Sequence, residues 1–131
     1  MGGEKMRELE KQDYILIELA KRAAKVAGEG EGVFGAALRC GSGKIFTGVN
    51  IPGRYGACAE IIALGTAKAS GETQLETLVT VGGKHADEIE PPCGNCRQLL
   101  LEHAPKLEVI LQLEEGGAKK IKVRELLPYN N

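Results

Sequence analysis

Across residues 13–27 the apolar side chains Ile15, Leu16, Leu19, Ala20, Ala23, Val26 and Ala27 return every three or four positions, with Glu18, Lys21, Arg22 and Lys25 between them. That spacing follows the 3.6-residue turn and predicts an amphipathic helix with one buried stripe. The glycine-rich stretch 28–32 breaks it, and residues 33–40 and 44–50 then flank a Gly-Ser-Gly turn at 41–43, predicting a hairpin. After a loop over 51–57, residues 58–70 mix Ile61, Ile62 and Leu64 with Ala59, Ala63, Gly65, Ala67 and Ala69. Small residues at that density suit a helix that other backbone approaches closely, and Gly71 ends it. Residues 77–81 read as a strand, followed by a polar loop as far as Pro92. Residues 93–103 read as a helix opened by Pro91-Pro92 and stopped by Pro105, and 108–113 and 120–123 read as strands.

The predicted order is therefore α-β-β-α-β-α-β-β. Helices interleaved with strands in this way need a sheet covered on both faces, so the expected fold is α/β: a three-layer α/β/α sandwich around a mixed five-stranded sheet. A chain of 131 residues without internal repeat, linker or low-complexity tract predicts one domain over 1–131. The order of strands in the sheet and the path of the tail over 125–131 do not follow from the pattern.

Composition narrows the function. Seventeen basic residues against eighteen acidic ones give a net charge of -1, no field for holding a nucleic acid, so a small, roughly neutral partner is expected. No apolar run is long enough to span a bilayer and the first residues show no export signal, which predicts a cytoplasmic protein with no membrane partner. In a reducing compartment the four cysteines, Cys40, Cys58, Cys93 and Cys96, read as ligands or catalysts rather than as disulfides.

Cys93 and Cys96 stand three apart at a predicted helix start, so both sulfurs share one face and can reach one metal ion. Cys58 opens the other central helix, and the aligned amides at both starts favour thiolates. Three thiolates and an open fourth position describe a catalytic zinc site, where the metal lowers the pKa of a bound water to about 7. Glu60, in the first turn after Cys58, can lean back toward the metal without ligating it and is the candidate general acid/base. The competing reading is a non-catalytic, structural zinc domain, which needs a fourth protein ligand from Cys40, His85 or His103. Cys40 continues the alternating row of Phe34, Ala36 and Leu38, and His103 lies about 10 Å along a helix from Cys96. His85, in a loop, is the remaining candidate.

The segments Cys58-Ala59-Glu60 and Pro92-Cys93-Gly94-Asn95-Cys96-Arg97-Gln98 resemble the C-A-E and P-C-x-x-C-R-Q signatures of the cytidine deaminase family. Gly35-Ala36-Ala37-Leu38 and Phe46-Thr47-Gly48-Val49-Asn50 are similar to its first two strands. The stretches FTGVN, CAE, LGTA and RELLP look most like its blasticidin S deaminase branch, and the likeness runs over about 33–128. The resemblance implies zinc on Cys58, Cys93 and Cys96, a proton-shuttling Glu60, an Ala59 amide on the base, Asn50 on the sugar, and a homotetramer. Arg54 and Tyr55 flank the expected pocket, and in a tetramer Tyr129 would close a neighbour's pocket. The implied reaction is hydrolytic deamination of cytidine or deoxycytidine, with blasticidin S or another modified aminopyrimidine nucleoside as the alternative. The chain departs from the pattern at Pro52, where ordinary relatives carry a sugar-binding glutamate, and at Gly32, where many carry a phenylalanine. The loop before Cys58 is also short. Arg97, next to a zinc cysteine, is placed to offset the thiolate charge, a role many relatives give to an arginine where this chain has Ile61.

Overall fold

A computed structural model describes residues 6–28 and 32–126. The elements in chain order are β1 (Arg7–Glu8), α1 (Lys11–Val26), β2 (Gly35–Cys40), β3 (Ile45–Val49), α2 (Ala59–Ala69), β4 (Leu75–Gly82), β5 (Glu88–Ile89), α3 (Gly94–His103), β6 (Glu108–Gln112), β7 (Ala118–Lys122) and a 3-10 turn (Val123–Glu125). The three predicted helices and five predicted strands are all present. Among the described residues the sheet has seven strands rather than five, in the order β1-β7-β6-β4-β2-β3, with β5 pairing on β4. The additions, β1 and β5, are two residues long, too short to show a period-2 pattern. All neighbours are antiparallel except β4 and β6, which run parallel because the chain crosses between them through α3.

Alternation along the strands divides the core into two layers. On one face, Ala37, Val79, Val81 and Ile110 meet Leu16, Ile17 and Ala20 of α1. On the other, Ala36, Leu38, Cys40, Leu78 and Val109 meet Ala59, Ala63, Leu64 and Ala67 of α2, Leu100 of α3 and Ala104 just after it. The sandwich is thus three-layered, as the pattern requires.

Both faces pack at backbone distance. A Cβ at Gly35 would lie 2.6 Å from Ala24 N of α1, and one at Gly48 would lie 2.6 Å from Ala63 N and 2.8 Å from Ala59 O of α2. Only glycine permits β3 to approach the first turns of α2 so closely. The consequence is positional: the N-terminus of α2 is fixed against the sheet, and that of α3 sits beside it at the end of β4. No described helix is long and apolar enough to cross a membrane.

Candidate active site

Cys58 is the N-cap of α2 and Cys93 the N-cap of α3, each with extended backbone, so both stand one residue ahead of the helices they were expected to open. Cys96 lies one turn into α3 and is fully buried, and its backbone N–H donates to Cys93 Sγ at 3.4 Å. The sulfurs of Cys58, Cys93 and Cys96 all lie within 4.8 Å of one another. Four-coordinate zinc with Zn–S bonds of about 2.3 Å places sulfurs roughly 3.8 Å apart, so this triad fits the ion with little adjustment.

The electrostatics of the triad ask for a cation. Burial pushes the Cys96 thiol well above the ordinary range, and hydrogen bonding to Cys58 and the charge of Glu60 push the same way. Burial likewise raises Cys58, which corrects the expectation that both helix-start cysteines have lowered pKa values. Cys93 alone is lowered: burial works against it, but the amides of Cys96 and Asn95 and the neighbouring thiols donate to its sulfur. Three crowded sulfurs that resist ionisation together are stabilised as thiolates by a dication, which reverses the sign of the local field.

No fourth Cys, His, Asp or Glu joins the triad among the described residues. Cys40 is buried in the core at the end of β2, while His85 and His103 are both exposed, on the β4–β5 loop and at the end of α3. The donor set is three-sided and opens onto a cleft.

That cleft has a volume of about 340 Å³ and is walled by Phe34, by Asn50 and the 51–57 loop, and by Ala59, Glu60, Thr80, Glu90 and Pro91, with Cys58 and Cys93 at its metal end. The volume suits a ligand of nucleoside size. Glu60 is only 5 % exposed. Burial raises its carboxyl pKa, opposed by its own backbone amide and by the Thr80 hydroxyl beside it. Thr80 Oγ1 is buried and makes no well-formed hydrogen bond.

Asn50 serves the protein's own backbone as well as the cleft. Its Oδ1 accepts from Phe34 N–H at 2.9 Å and its Nδ2 donates to Gly32 O at 2.8 Å, which pins the turn that carries the Phe34 wall. Gly32 has φ of +86°, and no described atom lies within 4 Å of where a Cβ would stand. Ile51 and Ala57 close the 51–57 loop through a pair of backbone bonds of 2.9 and 3.0 Å. Arg54 and Tyr55 stand at its exposed tip, Tyr55 91 % exposed, and neither lines the cleft. Tyr129 lies outside the described residues. Arg97 donates from Nε to Pro92 O at 2.7 Å and from Nη1 to Leu126 O at 3.5 Å, tying the loop before Cys93 to the end of the 3-10 turn.

Phe34, Thr80 and Glu90 are side chains of the cleft that sequence reasoning did not place there. Glu90 lies in what reads as a polar loop, and its proximity to Thr80 depends on the short pairing of β5 with β4.

Comparison with known proteins agrees with this geometry. Residues 10–112 match the model of the cytidine and deoxycytidylate deaminase zinc-binding region. The chain is 32% identical over 130 residues to the blasticidin-S deaminase of Bacillus cereus, covering 92% of each chain. It is 37% identical over 98 residues to a cytidine deaminase of Halalkalibacterium halodurans, covering 72% of this chain and 73% of that one. The crystal structure of cytidine deaminase from Mycobacterium leprae superposes with a TM-score of 0.73 at 27% identity, over 92% of this chain and 99% of that one.

Proposed function

This chain belongs to the cytidine and deoxycytidylate deaminase family, and on that premise we propose that it is a zinc-dependent aminohydrolase of one domain that converts a cytosine-type nucleoside and water to the uracil-type nucleoside and ammonia. The observation that carries the reading is the three-sided thiol cluster of Cys58, Cys93 and Cys96 opening onto a nucleoside-sized cleft that also holds Glu60.

Zinc on the three cysteines supplies Lewis-acid activation of a water molecule. The remaining work falls to the chain's own groups. Glu60 is the proton carrier: its carboxylate takes one proton from the water as the oxygen adds at C4 and delivers it to N3, then takes the remaining proton from the new C4 hydroxyl and passes it to the amine, which departs as ammonia as C4=O forms. Burial serves this task, because a raised carboxyl pKa brings proton uptake and release closer to balance near neutral pH. The Ala59 amide, at the first turn of α2, donates to the ring carbonyl oxygen, where the helix terminus favours negative charge. Phe34 forms an apolar wall for the ring. Asn50 has one Nδ2 hydrogen left beyond its backbone bond and offers it to the sugar. Arg54 and Tyr55 reach a substrate only from the loop tip.

Cytidine and deoxycytidine are the first substrates to expect. Blasticidin S is the second reading, favoured by the 92% mutual coverage with the Bacillus cereus enzyme. We place the enzyme in pyrimidine salvage in the cytoplasm, where free thiols persist, and as a homotetramer in which Tyr129 closes a neighbour's pocket. An apolar groove lined by Leu19, Ala23 and Val26 of α1 with Val49 and Ile62 supports self-association.

The deciding experiment combines elemental analysis with an ammonia-release screen over cytidine, deoxycytidine, cytosine, blasticidin S and purine nucleosides. About one zinc per chain and ammonia from a cytosine compound are expected, with activity lost in chelator and restored by zinc. Absence of zinc, with stability unchanged in chelator and no activity on adding metal, overturns the reaction. Ammonia from purines alone overturns the choice of base.

A further inference from the structure

The end of the sheet remote from the zinc cluster carries a second, polar cavity. In the strand register Arg39 of β2 faces Thr77 of β4, and Thr77 faces Glu108 of β6. Residues paired in this way project to one face. It is the face that α1 covers, since Ala37, Val79 and Ile110, each two residues away along its strand, pack against that helix. The row lines a cavity of about 330 Å³ whose rim includes the exposed side chains of Glu76 and Lys106. Two charged members of the row are only half used. Arg39, 6 % exposed, commits Nη2 to Asp13 at 3.0 Å and to Thr77 at 2.8 Å, while Nη1 has no hydrogen-bond partner and Nε lies 3.7 Å from Glu76. Glu108, 8 % exposed, accepts from Arg7 through Oε1 at 2.6 Å, while Oε2 has no hydrogen-bond partner among the described residues. Lys120, the other buried cation of the lining, is satisfied by Asp13 at 2.9 Å. By reaching Thr77, the Arg39 guanidinium comes within roughly one strand spacing, about 4.8 Å, of the Glu108 strand. No ion pair joins the two. A buried cation and a buried anion thus border one cavity from neighbouring strands with bonding capacity unused, an arrangement that buried charged groups rarely keep unless something completes it.

We propose that this cavity is a second ligand site, for a free α-amino acid whose carboxylate binds Arg39 and whose ammonium group binds Glu108. The unused groups carry opposite full charges, so a molecule with one anionic and one cationic end makes a charge-assisted hydrogen bond at each. A simple anion on Arg39 would lie against Glu108, and a simple cation on Glu108 would lie against Arg39 and Lys120. Even at about 6 Å and an effective dielectric constant of about 40, one such misplaced unit charge shifts an equilibrium roughly tenfold. Lys106, at the rim, adds a second cation on the carboxylate side. Because the rim chains Glu76 and Lys106 are exposed, they can turn aside to admit a ligand to groups that lie closed beneath them. The volume exceeds what one bridging water fills and suits a small organic molecule.

The test titrates the twenty common L-amino acids into the full-length, zinc-loaded protein, with thermal unfolding as the screen and calorimetry for dissociation constants. The tightest binder is then compared with its two matched analogues, one lacking the amino group and one lacking the carboxylate. At least one amino acid is expected to bind saturably with a Kd of about 1 mM or below, and each analogue at least about tenfold more weakly. Glu108→Gln should weaken the amino acid by about tenfold or more while leaving the analogue without an amino group bound as well as before or better. If Glu108→Gln fails to fold, Lys106→Glu at the exposed rim carries the test, with a loss of about tenfold expected. No saturable binding up to about 10 mM overturns the site and leaves the cavity to water. An analogue without the amino group that binds as tightly as the parent makes it an anion site and overturns the amino-acid reading. Affinity unchanged in Glu108→Gln, or in Lys106→Glu where that variant stands in for it, places the ligand elsewhere and overturns the proposal. None of these readouts depends on deamination, so the outcome is separate from that of the reaction proposed for the cleft.

Discussion

At the scale of single residues, the surroundings of Glu60 suit the proton-carrier role proposed for it. Its carboxyl is almost fully buried without a basic partner among the described residues, and the groups that oppose its raised pKa are an amide and a hydroxyl rather than a charge. A carboxylate held by an arginine would sit too low to return its proton, whereas a raised pKa suits the transfers proposed for Glu60. Glu60→Gln preserves shape, so the protein should keep its zinc and its unfolding midpoint while kcat falls by roughly 10²- to 10⁴-fold. Single-turnover ammonia release with parallel zinc analysis checks this. An unchanged rate would leave the structural-zinc reading in its place. The thiol cluster was legible because Cys93 and Cys96 stand three apart at a helix start, where their side chains share a face, and Cys58 opens the other central helix. Thr80 and Glu90 were not, since ten residues of separation become contact only through a two-residue strand with no pattern of its own. Arg54 and Tyr55 show the converse: adjacency to a site in sequence placed them at the tip of a loop closed by the Ile51 and Ala57 backbones, not in the cleft.

Elements matter here through how closely they pack. The hairpin strand β3 passes the first turns of α2 at backbone distance, and Gly48 is the residue that permits it. A methyl group at Gly48 would press on Ala59 O and Ala63 N, backbone atoms that cannot rotate away. Gly48→Ala is therefore expected to destabilise the fold by about 1–3 kcal/mol. The displaced element is α2, whose N-terminus holds Cys58 and Glu60, so zinc affinity should drop together with stability. Urea unfolding and a competitive chelator titration measure the two; full zinc affinity alongside lost stability would show that the site does not depend on this contact. The helices and five main strands were readable to within about two residues, since each is long enough to express its period. The start of α1 moved from 13 to Lys11 because Asp13 caps it from within, accepting the Glu10 N–H at 2.8 Å.

Across the whole molecule, the end of the sheet remote from the zinc cluster carries a buried ion-pair network beside its apolar core. Asp13 of α1, fully buried, pairs with Arg39 of β2 at 3.0 Å and with Lys120 of β7 at 2.9 Å, and Arg39 also donates to Thr77 Oγ1 at 2.8 Å. These contacts bridge α1 to strands on either side of the β4–β6 centre, a connection invisible in a sequence where Asp13 reads only as the polar start of an amphipathic helix. Burial alone would raise the Asp13 pKa, but the Glu10 amide, Lys120 and Arg39 outweigh it and hold the carboxyl below its ordinary value. A folded-state pKa below the unfolded one means that the ionised carboxylate stabilises the fold at any pH above the unfolded value of about 3.9. That contribution disappears as pH falls through the folded value. Asp13→Asn leaves Arg39 and Lys120 buried with their shared partner gone, which costs about 3–5 kcal/mol near neutral pH. Urea midpoints measured from pH 7 to pH 3 should show the gap between the two proteins steady down to about pH 5 and narrowing below about pH 4 as Asp13 takes up its proton. A gap that stays constant through pH 3 would mean that Asp13 acts through its shape, and that its charge is not what holds α1 to the sheet.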